Sequence, residues 1–291
     1  MGQNRAKLEL VLTCMVFGTI GTFTRYIELP SSVLCFSRAA LAVVTILVYF
    51  AITGKKPDIP AIKKNLPKLI LLGALMSFNW VCQFEAFART TIAISTVCYY
   101  TQPIFLIIGA AIVFKEKLSA KKVICIFAAF FGMMLVSGII GGGGVGKANL
   151  SGVLFAVSGA ITYAIIVLIN KSLKDISTFD TTMAQLGFAA IVITPYILLT
   201  EDISAIHLST TGLICTLIMG IVHTGIAYVI YFRSVSILDA QNVGIISYID
   251  PVEAVLLSAL FLREPITINV IVGAVMILGA TAVSELTGNR R

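Results

Sequence analysis

The chain has 291 residues, 58% of them hydrophobic and only 12% charged, and its mean hydropathy is +1.00. About a quarter of the residues in a soluble globule are charged, so the composition excludes one and predicts an integral membrane protein. A net charge of +7 would suggest nucleic acid as a partner of a soluble protein, but here the placement of the basic residues explains it and no nucleic-acid partner is expected.

Crossing about 30 Å of hydrocarbon takes about 20 apolar residues in a helix. In the first half such runs read at Leu8 to Phe23, Val33 to Ile52, Leu69 to Phe87, Ile92 to Phe114 and Val123 to Ile140. The first is not expected to be a signal peptide, because no small-residue cleavage site follows it before Glu28 and Pro30. A glycine-rich stretch, Gly141-Gly142-Gly143-Gly144-Val145-Gly146-Lys147, reads as a connector over 141–149. It lacks the preceding strand and the Lys-Ser/Thr pair of a phosphate-binding loop. Five more runs follow at Leu150 to Ile169, Thr181 to Leu199, Thr211 to Phe232, Asn242 to Leu262 and Ile268 to Leu286. The expected fold is all-α, with ten transmembrane helices in two halves, 1–140 and 150–291.

With the N-terminus in the cytoplasm, sixteen of the 21 Lys and Arg fall at inner helix ends. Only Arg25, Arg89, Lys147 and Arg263 fall at outer ends. The positive-inside rule then places both termini in the cytoplasm of a plasma-membrane protein. The six cysteines, Cys14, Cys35, Cys82, Cys98, Cys125 and Cys215, lie inside predicted spans without metal-ligand spacing and read as packing residues. No metal site and no cofactor is expected.

An odd number of helices per half makes the second half enter the membrane from the opposite side, so an internal repeat has to be inverted. At an offset of 148, Phe84 aligns with Phe232, Tyr100 with Tyr248, Pro103 with Pro251, Ala111 with Ala259 and Glu116 with Glu264, with Lys115 beside Arg263. The weight rests on which positions match: a proline inside the fourth helix of each half and a basic-acidic pair at its end. Proline lacks an N–H and frees the carbonyl four residues earlier, so Pro103 and Pro251 are the expected hinges.

Ten helices in two halves, the late-helix proline followed by Lys115-Glu116 or Arg263-Glu264, and Arg38 early in the second helix resemble the EamA-type branch of the drug/metabolite transporter superfamily. The resemblance covers essentially the whole chain. It implies a basket around a central cavity lined by the first four helices of each half, with the fifth and tenth peripheral. It implies transport of amino acids and related metabolites, sugars, nucleotide sugars, drugs or other small solutes.

Ionisable residues inside a bilayer are costly and mark substrate or proton pathways. The acidic ones are Glu85, Asp250 and Glu253; opposite them stand Arg38 and His223. Asn79, Trp80, Tyr99, Tyr100, Gln102, Tyr163, Asn170, Gln185, Tyr228, Tyr231 and Tyr248 complete the polar and aromatic set. Asp250 and Glu253, three apart, share one helix face. They read either as coupling carboxylates and counter-charge for an ammonium, or as a structural pair with Arg38 or with backbone freed by Pro251. Glu85 has Arg89 one turn on, a surface pair or a cavity-mouth residue. His223 sits at mid-helix as a proton relay or a neutral imidazole bonded to a neighbouring helix. Arg38 either snorkels or turns inward to a carboxylate. Trp80 and Tyr228, aligned at the same offset, suggest an aromatic wall that attracts ammonium groups by about 0.5–2 kcal/mol each.

The expected function is secondary transport of a small amine-bearing metabolite, an amino acid or a relative, by alternating access, with proton antiport, facilitated diffusion and exchange all open as its driving mode. A multidrug or organic-cation efflux transporter is the alternative. A channel would need a continuous polar stripe. An intramembrane enzyme is not expected, because neither G-x-S-x-G nor H-E-x-x-H spacing occurs and His207 lies in an outer loop. The partners are the small-molecule substrate, protons and the bilayer, and both a monomer and a homodimer are compatible with the sequence.

Overall fold

The computed structural model describes residues 3–114, 120–136, 140, 148–170, 172–235, 237–238, 246, 249–264 and 266–288. Among these, helices joined by short turns make up the whole structure. They are α1 (Gln3–Gly18), α2 (Ile20–Thr24), α3 (Ser31–Thr53), α4 (Ile59–Lys64), α5 (Leu66–Arg89), α6 (Ile92–Tyr99) and α7 (Gln102–Phe114). Then come α8 (Ala120–Val136), α9 (Ala148–Asn170), α10 (Thr178–Thr200), α11 (Thr210–Ile218), a π-helical segment Met219–Ile226, α12 (Ala227–Val235), α13 (Ile249–Phe261) and α14 (Ile268–Gly288).

Seven stretches among the described residues are long and apolar enough to cross a membrane: Gln3–Thr24, Ser31–Thr53, Leu66–Arg89, Ile92–Val113, Leu150–Asn170, Thr178–Thr200 and Thr210–Tyr231. Each overlaps a run expected from the sequence. The expected fifth and tenth spans appear as α8 and α14, with shorter apolar stretches at Val123–Gly132 and Ile268–Ala280. The expected ninth appears as α13, most of its first half lying outside the described residues, as do Tyr248, the Lys115-Glu116 pair and the connector from 141 to 147.

Local chemistry sets the helix ends. Side-chain oxygens of Asp58, Thr91, Ser177 and Ser209 accept from backbone amides at the starts of α4, α6, α10 and α11, at 3.0–3.1 Å, each satisfying a donor the first turn leaves open. The fourth run is broken where proline predicts. Pro103 has no N–H to offer the Tyr99 carbonyl, α6 stops at Tyr99, and the Thr101 hydroxyl donates to the Cys98 carbonyl at 2.7 Å before α7 begins. The first run is broken too, between Gly18 and Ile20, without a proline; the Thr19 hydroxyl lies 2.7 Å from the Val16 carbonyl there.

α5 lies along α9 and α10, α3 against α10 and the π segment, α1 along α12 and α13, α6 and α7 against α9, and α8 against α14. Gly73 of α5 lets that helix approach α10 closely: an added Cβ would sit 2.8 Å from the Ala189 backbone nitrogen. One turn on, the Ser77 hydroxyl donates to the Ala189 carbonyl at 2.8 Å. All six cysteines are free thiols buried in this packing, as expected.

The bundle has two distinct ends. At one, the Lys68 ammonium donates to the Ser172 carbonyl at 2.8 Å and Lys64 pairs with Asp175 at 2.6 Å. At the other, Arg25 pairs with Glu264 at 2.8 Å and donates to the Thr90 carbonyl at 3.0 Å. Glu264 also accepts from the Ile92 amide at 2.9 Å, a carboxylate at the positive N-terminal end of α6.

Candidate functional site

The break between α6 and α7 turns two tyrosines toward the second half. The Tyr100 hydroxyl donates to Asp250 Oδ2 on the first turn of α13 at 2.6 Å. The Tyr99 ring stands edge-on to Tyr100 at 6.5 Å and to Tyr163 of α9 at 6.3 Å. The Tyr99 hydroxyl also reaches Asn79 Oδ1 of α5 at 3.3 Å, while the Asn79 amide donates to the Gly159 carbonyl at 2.7 Å. Gly159 makes room for this: a Cβ there would lie 3.2 Å from the Tyr99 ring. Asn79, Tyr99, Tyr100, Tyr163 and Asp250 therefore form one connected cluster drawn from both halves.

Arg38 approaches the same region from α3. It is buried, its Nε donates to Thr224 Oγ1 at 2.5 Å, and its guanidinium lies 4.4 Å from the centre of the Trp80 ring. The Trp80 face expected for a substrate ammonium thus carries a cation of the protein itself. Among the described residues no ion pair joins Arg38 to a carboxylate, so the structural pair with Asp250 or Glu253 considered from the sequence is not formed there. Tyr228 is in electrostatic contact with Arg38, Tyr99 and Tyr163 and packs edge-on against Phe17 at 5.7 Å. It bridges the arginine and the tyrosines.

Glu253 and Asp250 both remain partly exposed, but they reach different neighbours. Glu253 lies over Gly18 at the end of α1, where an added Cβ would be 2.9 Å from its Oε2, a buried oxygen with no hydrogen-bond partner among the described residues. Gln102, aligned with Asp250 at the sequence offset of 148, is half-buried, and its Oε1 likewise has no partner among the described residues. Pro251 is buried, and Pro103 lies in the first turn of α7. Glu85 is elsewhere: it pairs with Arg89 at 2.8 Å and accepts from Ser31 Oγ at 2.7 Å, in the polar network of the Glu264 end. Nearby, the Ser209 hydroxyl holds the Glu28 carboxyl below the usual carboxylate range.

His223 is buried in the π-helical segment, which the sequence reading took as ordinary helix. Its Nε2 lies 2.7 Å from Thr19 Oγ1, at the break between α1 and α2, and its Nδ1 lies 3.3 Å from the Ile218 carbonyl. The Thr19 hydroxyl has one proton and the Val16 carbonyl also stands 2.7 Å from it, so Thr19 either donates to that carbonyl and accepts from a protonated Nε2, or donates to Nε2 of a ring protonated at Nδ1 toward Ile218. The π register also turns Thr224 toward Arg38, its own hydroxyl donating to the Met219 carbonyl five residues back at 2.9 Å. Such segments are rare and cluster at functional sites. Gly220 and Gly225 were the visible sign: both lie directly against α3, at Leu41 and Thr45.

Buried polar groups from both halves, gathered inside an all-helical bundle of membrane-spanning length, define a multi-pass membrane transporter. The chain belongs to the EamA-like transporter family, which matches residues 6–138 and 150–285. Its relatives include the uncharacterized transporter YxxF of Bacillus subtilis (strain 168), 29% identical over 97% of this chain and 90% of the relative. An uncharacterized transporter of Archaeoglobus fulgidus is 23% identical over 93% of this chain and 95% of its own length. A solved structure described only as the crystal structure of a protein superposes with a TM-score of 0.68 over 99% of both chains at 17% identity, a likeness of fold alone.

Proposed function

We propose that this chain is a secondary transporter for a small zwitterionic amine, an amino acid or a close relative, working by alternating access across the plasma membrane. The observation that carries the reading is the tyrosine cluster with Asp250 on one side and, on the other, Arg38, which has no carboxylate partner among the described residues. Asp250 receives the ammonium, Arg38 the carboxylate, and the rings of Tyr99, Tyr163 and Tyr228 line the space between. Glu253, with a buried oxygen left unpaired, is the second acidic group available for a proton.

Ten spans in two inverted halves, with both termini in the cytoplasm, fit the packing. The starts of α9 and α5 lie at opposite ends of the bundle, with Gly152 against Thr90 and Lys68 bonded to Ser172. The contact of α5 with α9 has its counterpart in that of α12 with α1, and α5 with α10 in the π segment with α3. The Lys64 end then faces the cytoplasm and the Glu264 end the outside. In the cycle, the two halves rock about the expected hinges at Pro103 and Pro251, and the Tyr100–Asp250 bond is made and broken as the site changes sides.

The aromatic lining also favours a second reading, efflux of organic cations. A thermal-shift screen of purified protein with amino acids, amines and lipophilic cations tests both, repeated with Asp250→Asn and Glu253→Gln. Stabilisation by amino acids that disappears in Asp250→Asn is the expected result. Stabilisation by bulky lipophilic cations alone favours efflux, and amino-acid stabilisation unchanged in both variants refutes the site.

A further inference from the structure

The bond between Arg38 and Thr224 has a fixed sense. An arginine Nε–H can only donate, so the Thr224 oxygen accepts it at 2.5 Å, and the single hydroxyl proton of Thr224 goes to the Met219 carbonyl at 2.9 Å. That carbonyl lies five residues back. In an ordinary α-helix a threonine hydroxyl bonds a carbonyl three or four residues back, as Thr216 of α11 does to Gly212 at 2.8 Å. The wider turn of Met219–Ile226 therefore sets where the Thr224 oxygen points. Both Thr224 and Arg38 are buried. Trp80 and Phe84, one turn apart on α5, place their ring centres 4.4 and 5.8 Å from the guanidinium carbon. Among the described residues the bond from Nε is the one hydrogen bond that the guanidinium makes. Its Nη1–Nη2 edge stays open, with two parallel N–H donors in the geometry that matches a carboxylate.

We infer, resting on the reading of Arg38 as the receptor of the substrate carboxylate, that Thr224 is a positioning residue. It turns the Nη1–Nη2 edge toward that carboxylate and so sets the preference for amino acids over amines that lack one. Without the Thr224 acceptor, Nε–H is left unanswered inside the bundle, and the guanidinium turns to find another partner. An arriving carboxylate then has to order a long side chain that Thr224 otherwise holds ready. A ligand with an ammonium alone is held by Asp250 and loses little. A role for Thr224 in the scaffold alone would weaken both classes of ligand alike.

Trp80 is the only tryptophan of the chain, so its fluorescence reports on the guanidinium 4.4 Å from its ring. Thr224→Val keeps the side-chain shape and removes the acceptor. In purified protein, Thr224→Val is expected to shift the Trp80 emission in the same direction as Arg38→Gln, and Thr224→Ser to leave it where the unaltered protein has it. Half-saturating concentrations are read from thermal shift with L-leucine, L-phenylalanine and L-lysine and with their decarboxylated counterparts, isoamylamine, phenethylamine and cadaverine. In Thr224→Val those of the amino acids are expected to rise about fivefold, the cost of immobilising one long side chain on binding, and those of the amines less than about twofold. Thr224→Ala takes the place of Thr224→Val if that variant fails to fold. Unchanged Trp80 emission, or an equal loss of amino acids and amines, overturns the inference. Full amino-acid affinity in Thr224→Val also overturns it and leaves the substrate reading intact. If no amino acid binds the unaltered protein while the emission still shifts, the substrate reading fails and the hold of Thr224 on Arg38 stands.

Discussion

The bond between Tyr100 and Asp250 gives the most direct test of how the halves are joined. At 2.6 Å it falls in the 2.5–2.7 Å range of a hydroxyl donating to a carboxylate. A hydrogen bond to a charged group contributes a net 1.5–3 kcal/mol or about that in soluble proteins, whereas interhelical bonds in a membrane protein average about 0.6 and reach about 1.7 kcal/mol. Asp250 is partly exposed, which places this bond below the soluble figure; its length and charge place it above the membrane mean. A coupling of about 1–1.7 kcal/mol follows. Tyr100→Phe keeps the ring beside Tyr99, and Asp250→Asn keeps the shape while removing the charge. The two single variants and the double variant form a cycle, measured as unfolding free energies in one detergent. Coupling below about 0.3 kcal/mol, smaller than the scatter of additive sites, would show that the bond does not hold α6 to α13. On the proposed reading, Asp250→Asn is expected to abolish amine binding and Tyr100→Phe only to weaken it, which separates the two roles further.

Five further variants probe the frame around the site, each measured by thermal unfolding in detergent. Gly73→Ala drives a Cβ to 2.8 Å from the Ala189 nitrogen and is expected to destabilise by about 1–3 kcal/mol. Gly187→Ala, where nothing lies within 4 Å, is expected to be neutral or stabilising; equal effects of the two would refute the close approach of α5 and α10. Thr19→Val deprives the buried His223 ring of its 2.7 Å partner and is expected to cost about 1–3 kcal/mol, with Thr19→Ser restoring most of it. Lys64→Ala leaves the unfolding temperature unchanged, because Lys64 and Asp175 are 64% and 73% exposed and such pairs contribute little.

Features written into short stretches of chain were legible in advance. The break before Pro103 follows from a missing N–H, whereas hydrophobic runs alone place the start of α10 at Thr181, three residues inside the start that the Ser177 cap sets. Features set by distant partners were not. Trp80 reads as a ring for a substrate cation until Arg38, 42 residues earlier in the chain, is seen to occupy it. Glu264 reads as the repeat mate of Glu116, yet it ties Arg25 to the start of α6, a role that depends on two segments remote in sequence. The π register around His223 depends on how closely α3 approaches Gly220 and Gly225; hydrophobic periodicity does not distinguish it from an ordinary helix. The contact of Arg5 and Arg233 with a single Glu9 oxygen likewise requires α1 and α12 to be neighbours.

The chemical inequality of the halves bears on the substrate. At the offset of 148, Gln102 and Asp250 occupy equivalent places. Gln102 keeps a buried oxygen without a partner, while Asp250 takes the Tyr100 hydroxyl from the half that carries Gln102. Two equivalent carboxylates would place like charges in one low-dielectric space, and one of them would neutralise itself by holding a proton. One carboxylate at this pair of positions, opposed by the buried charge of Arg38, makes a site with one charge of each sign. On the proposed reading, a zwitterion answers both charges at once. A lipophilic monocation answers only Asp250 and leaves Arg38 as a repulsive neighbour, and an unanswered like charge discriminates against a substrate just as a new contact selects for one. Replacing Arg38 by Gln is therefore expected to reverse the preference, weakening amino-acid stabilisation and strengthening that by lipophilic cations. The opposite shift, or equal loss of both, would place the arginine in the scaffold alone.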